Sequence, residues 1–127
     1  MKEKEDKSWV LVVDTDPKVR TEIEVKASAL GYEVVSLSNG VAAADLALEF
    51  SCDAMFIECE LPGQSGPVVS RSIRSAEGTH AKRTQIVGMS ERPLEDVCID
   101  AGMDAFLAKP FSTEQLEAAL RKSLPEA

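Results

Sequence analysis

Hydrophobic residues in this chain fall into two alternating patterns: short continuous apolar runs, and stretches with apolar positions three and four apart. Trp9 to Val13 is a run of the first kind, rich in β-branched residues, and it predicts a strand buried on both faces. It stops at Asp14. Asp16-Pro17 then reads as an N-cap followed by the first helical position. Val19, Ile23, Ala27 and Leu30 follow at helical spacing until Gly31 ends the helix. Glu33 to Leu37 predicts a second strand, closed by Asn39-Gly40. A helix from about Val41 to Phe50 carries Ala43, Leu46, Ala47 and Phe50. Ala54 to Ile57 is the third apolar run and ends at Glu58. Leu61-Pro62-Gly63 turns the chain into a helix from about Ser65 to Ala76, with Val68, Val69 and Ile73 expected inward.

After a polar connection from Glu77 to Thr84, Gln85 to Met89 predicts a fourth strand ending at Ser90. A short helix holds Leu94, Val97, Cys98 and Ala101 before Gly102. Ala105 to Ala108 is the fifth strand, and it ends at Lys109-Pro110. Ser112 to Gln115 reads as a capping box that starts a last helix with Leu116, Ala119, Leu120 and Leu124. Five strands alternating with five helices predict an α/β fold, a doubly wound parallel sheet with right-handed crossovers and helices on both faces. All strands of such a sheet end on one rim, where ligands bind. Asp14, Glu58, Ser90 and Lys109 therefore converge: two carboxylates, a hydroxyl and an ammonium.

Composition narrows the function. A length of 127 residues, 44% hydrophobic and 28% charged, is one domain able to bury a core without disulfides or metals. Residues 1–7 are expected to be a charged leader, 8–124 the domain and 125–127 a tail. A net charge of −8 without a basic stripe argues against nucleic acid or an anionic membrane as direct partner. No apolar segment of signal-peptide length follows MKEKEDKS, so a cytoplasmic location is expected. Cys52, Cys59 and Cys98 lack metal-ligand spacing and read as buried free thiols in a reducing compartment. Cys59 has no Lys, Arg or second Cys near it in sequence to make it reactive. His80, in the polar connection, reads as plain surface.

The run VLVVD ending at Asp14, the LPGxxG turn from Leu61 to Gly66, Ser90, and AGMDAFLAKPF from Ala101 to Phe111 strongly resemble a response-regulator receiver domain. The style is closest to receivers of hybrid histidine kinases, and the resemblance covers about residues 8 to 124. It implies the flavodoxin-like receiver sandwich and a role in two-component or phosphorelay signalling. It further implies a histidine kinase, phosphotransfer domain or downstream signalling protein as partner, and no catalytic activity from the domain alone. In such domains an Asp ending the third strand accepts a phosphoryl group, and acidic residues after the first strand hold Mg²⁺ that neutralises it. A hydroxyl on the fourth strand and a Lys on the fifth ligate the phosphate, while a fifth-strand aromatic turns inward. Ser90, Lys109 and Phe106 match those last roles, and Pro110 is where the family usually has a cis peptide. Phe106 has an ordinary reading beside this one, as a core aromatic.

Three positions depart from the family pattern. Glu58 stands where the phosphoacceptor Asp belongs, Thr15 replaces one of an adjacent acidic pair, and the segment from Ser90 to Gly102 looks about a helical turn short. Asp14 and Asp16 remain as the acidic pocket, with Asp16 better read as the helix N-cap. Asp14 and Glu58 are the residues left to hold a metal, so Mg²⁺ binding is expected to be weak or absent. The extra methylene of Glu58 spoils in-line attack and carries its carboxylate toward Lys109 and Ser90. An opposite charge at about 4 Å contributes about 4 kcal/mol at an effective dielectric near 20, before desolvation is subtracted. The favoured reading is a degenerate receiver that signals unphosphorylated and metal-free, with Phe106 inward. The alternatives are a functional phosphoacceptor receiver of a hybrid histidine kinase, or a variant carrying an introduced Asp-to-Glu phosphomimetic at Glu58. A small phosphatase using Asp14 lacks any segment for a substrate cap. A flavodoxin-like FMN carrier would need a Gly-rich phosphate loop where this chain has DTDPKVR.

Overall fold

A computed structural model describes residues 8–78 and 82–124; the leader at 1–7, His80 and the tail at 125–127 lie outside them. The elements run β1 (Trp9–Val13), α1 (Pro17–Ala29), β2 (Glu33–Leu37), α2 (Gly40–Glu49), β3 (Ala54–Glu58), α3 (Gly66–Glu77), β4 (Gln85–Ser90), α4 (Glu95–Asp100), β5 (Ala105–Ala108) and α5 (Thr113–Ser123). The five strands form one sheet in the order β2-β1-β3-β4-β5, parallel at every pairing. This is the flavodoxin-like receiver sandwich, and the order reverses beside β1. Asp14 and Glu58 therefore follow neighbouring strands, at the point where a crevice opens between divergent crossovers.

Alternation along the central strands divides the core in two. Val10, Val12, Ala54, Phe56, Val87 and Met89 pack with Ile23 and Ala27 of α1 and with Leu116 and Leu120 of α5. Leu11, Val13, Met55, Ile57 and Ile86 pack on the other face with Ala43, Val69, Ile73 and Cys98. The helix starts follow from local chemistry. Asp16 accepts the Lys18 N–H at 2.9 Å, Asn39 accepts those of Val41 and Ala42 at 2.7 and 3.1 Å, and Ser65 caps α3. The capping box of α5 is complete: Ser112 accepts the Gln115 N–H at 3.0 Å, and the Gln115 side chain accepts the Ser112 N–H at 2.8 Å.

Val68, expected inward, faces out, and so do two further apolar residues of the helical patterns, Phe50 and Val97. Val68 is 42% exposed because the inward stripe of α3 runs through Pro67, Val69, Ser70 and Ile73, and 68 lies beside that stripe. Phe50 is 55% exposed because the backbone turns extended there and leaves the helix direction. Val97 is 44% exposed because six-residue α4 buries only Cys98. Gly40 fixes the approach of α2 to the turn after β3: its N–H donates to the Pro62 carbonyl at 3.0 Å. A β-carbon there would lie 1.8 Å from the Gln64 carbonyl oxygen.

Candidate functional site at the carboxyl rim of the sheet

Asp14 leaves β1 fully buried, its N–H donating to Leu37 at 3.1 Å. Its Oδ1 accepts the Asp16 N–H at 2.9 Å, and its Oδ2 pairs with Lys109 Nζ at 2.6 Å. Among the described residues no further hydrogen bond reaches that buried oxygen. Arg20 Nη1 donates to the Asp14 carbonyl at 2.7 Å, which holds the β1–α1 turn down onto the rim. Lys109 follows β5, its N–H donating to Ser90 at 2.9 Å, and its peptide bond to Pro110 is cis. The ammonium sits between two carboxylates, 2.6 Å from Asp14 and 3.6 Å from Glu58 Oε2. Burial opposes the charge on Lys109, but the hydrogen bond and attraction from Asp14, and then Glu58, outweigh it and hold its pKa above the usual lysine value. For Asp14 the burial is the larger influence and raises its pKa against the pull of Lys109 and the Asp16 N–H.

Glu58 makes no hydrogen bond to Ser90. Its Oε1 accepts two hydrogen bonds from Thr15, the N–H at 3.0 Å and the hydroxyl at 2.9 Å. Ser90 is buried, and its Oγ accepts the Arg92 N–H at 2.9 Å. Thr15 offers Glu58 two converging donors where Ser90 has one hydroxyl to give. Thr15 thus acts as a clamp on Glu58, a role sequence reasoning missed by treating it only as a lost carboxylate. The one available signal was the hydroxyl beside Asp14. Asp16 is exposed and occupied as the α1 cap, and Phe106 is half-buried against the α2–α3 face of the core.

Above these groups lies a cavity of about 340 Å³. Asp16, Glu22, Glu58, Glu60 and Glu91 border it together with Lys109. Among the described residues no group of three or more His, Cys, Asp or Glu is arranged to hold a metal ion. The donors explain this: both Asp14 oxygens are engaged, and Glu58 is turned onto Thr15. The residues present do not assemble a close-fitting Mg²⁺ site.

Residues 10–121 match the response regulator receiver domain. This chain belongs to that family. It is 28% identical over 120 residues to hybrid signal transduction histidine kinase F of Dictyostelium discoideum, covering 91% of this chain and 11% of that protein. It is 32% identical over 121 residues to the response regulator MprA of Mycobacterium avium, covering 92% of this chain and 53% of MprA. The chain therefore spans a small part of the first and about half of the second. Among solved structures it is similar to the receiver domain of sensor histidine kinase PA1611 from Pseudomonas aeruginosa, described with a magnesium ion coordinated in its active-site cleft. That match has 30% identity and a TM-score of 0.79, covering 92% of this chain and 97% of that one. Receivers of hybrid kinases and of ordinary response regulators are thus both relatives. Among the described residues no helix is long and apolar enough to cross a membrane.

Proposed function

We propose that this receiver domain is degenerate at its phosphoacceptor and works without phosphorylation, as a protein-interaction module in histidine-kinase signalling. The observation that carries the reading is the clamp on Glu58: one carboxylate oxygen takes both donors of Thr15, and the other faces Lys109. A nucleophile so held is neither free nor in line for a phosphoryl donor. The carboxylates bordering the cavity repel an anionic donor, and the metal that would offset them has no assembled site. The partner that fits the family is a histidine kinase, a phosphotransfer domain or a downstream signalling protein, met in the cytoplasm. Ser90, Lys109 and Phe106 are the surviving switch-equivalent residues, and Mg²⁺ at Asp14 and Glu58 is weak.

The test is incubation with acetyl phosphate and Mg²⁺, read by intact mass. No stable phosphoryl adduct is expected, and a single-phosphoryl mass gain mapping to Glu58 or Asp14 would show a functional phosphoacceptor instead. The double change Glu58→Asp with Thr15→Asp removes the clamp and restores a second acid. It should accept phosphate better than Glu58→Asp alone.

Metal affinity is a separate measurement. Trp9 opens the strand that ends at Asp14, so its fluorescence serves as the probe. Half-saturation above millimolar Mg²⁺ is expected. Saturation at sub-millimolar Mg²⁺ would mean that Asp14, Asp16 and Glu58 rearrange into a site.

A further inference from the structure

We infer that Cys59 and Cys98 are a reversible disulfide site that ties the end of β3 to α4. Their sulfurs lie 3.0 Å apart although the residues are 39 positions apart in the chain. Both thiols are free and buried. Cys59 comes directly after Glu58, anchored by its N–H donating to Met89 at 2.8 Å. Cys98 is the one buried residue of α4, so its contact with Cys59 helps fix how that helix sits on the sheet. The strand between them makes room for the pair. A β-carbon at Gly88 would lie 2.8 Å from the Cys98 sulfur and 2.5 Å from that of Met103, so a larger residue there would push one or both side chains aside. A disulfide needs the two sulfurs about 1 Å closer. A small shift of α4 supplies that, because the helix has six residues and Leu94 gives its start no side-chain cap.

The oxidant is a peroxide, small enough to reach the pair through a brief local opening. One thiol, as its thiolate, attacks a peroxide oxygen; the O–O bond breaks, and a sulfenic acid and one water result. The second thiol attacks the sulfenic sulfur, the S–O bond breaks, and another water leaves. In sum two thiols and one hydrogen peroxide give one disulfide and two waters, and the electrons lost by sulfur reduce the peroxide. Burial holds both thiols protonated, above their usual range, and for Cys59 the neighbouring Cys98 adds to the effect. Oxidation therefore proceeds through local opening of α4 and is slow in the closed domain. Cys52 is the internal comparison. It is equally buried, its thiol is pushed up to about 11, and it has no sulfur partner among the described residues. None of this depends on whether Glu58 accepts a phosphoryl group.

The test treats the folded full chain with hydrogen peroxide, followed by intact mass and non-reducing peptide mapping. The expected result is a loss of two hydrogens, a Cys59–Cys98 peptide link, reversal by dithiothreitol and a Tm higher by about 10 °C from closing the loop. Cys59→Ala and Cys98→Ala should each abolish the link, whereas Cys52→Ala should leave it. Mapping of the wild-type link keeps the test valid if a variant folds poorly. A folded chain that stays fully reduced at peroxide doses that oxidise the unfolded chain would overturn the proposal, as would a link made through Cys52.

Discussion

Lys109→Met should lower the stability of the domain by about 3–5 kcal/mol, the usual cost of leaving a buried charge without its partner. For a chain of this length that is a fall in Tm of more than about 10 °C. The size follows from what is left behind. Asp14 is fully buried, its Oδ2 has Lys109 at 2.6 Å, and no other hydrogen bond from the described residues reaches that atom. Glu58 loses less, because Thr15 still holds it from the solvent side. Asp14→Asn keeps an acceptor for the Asp16 N–H and removes the stranded charge, so it should recover much of the loss in the Lys109→Met background. Losses that simply added would show that the two residues are not coupled.

The same pair sets a pH dependence at the alkaline end. The Lys109 pKa is raised on folding, so its contribution is fully present below the unfolded lysine value of about 10.4. It declines as pH rises from there through the folded pKa. The part of the gap between wild type and Lys109→Met that comes from the ammonium should therefore be fully present below about pH 10 and shrink only above it. A gap that closes already near neutrality would mean that the ammonium is not held by Asp14.

Gly40→Ala is the second large effect, and its sign is the informative part. Alanine in a helix is ordinarily better than glycine by about 1 kcal/mol. Here the added β-carbon would lie 1.8 Å from the Gln64 carbonyl oxygen, a backbone atom that cannot rotate away as a side chain would. The turn carrying Leu61 to Gln64 must move off α2 and break the Gly40–Pro62 hydrogen bond. A loss of about 2–3 kcal/mol is expected in a denaturant melt, at the upper end of overpacking costs. Because that turn leaves directly from the end of β3, amide shifts should spread to Glu58 and Cys59. A rise in the denaturation midpoint would mean that the turn yields freely and does not position the site.

The receiver architecture was legible because it rests on signals that survive without tertiary detail. Short continuous apolar runs bounded by turn residues read as buried strands, and helical spacing between them implies parallel crossovers. Once the strands are parallel, Asp14, Glu58, Ser90 and Lys109 must share a rim, since each ends or follows one. The caps at Asp16 and Ser112 are equally local, because a side chain and the amides it accepts from lie within three residues.

Tertiary structure decided what depends on directions rather than positions. The rotation of α3 about its axis, which sends Val68 out and Ser70 in, is set by the groove between sheet and α4, where Ser70 donates to the Ala101 carbonyl at 2.8 Å. Glu58 had two carboxylate oxygens and several donors within reach. Only the fold of the β1–α1 turn brought both Thr15 donors onto one of them. The meeting of Cys59 with Cys98 is the clearest case. Nothing in a spacing of 39 residues marks it; it arises because β3 and β4 are neighbours in the sheet and α4 crosses back over a glycine. Local sequence dictates which groups reach the rim, whereas the partner each group takes depends on long-range packing between elements far apart in the chain.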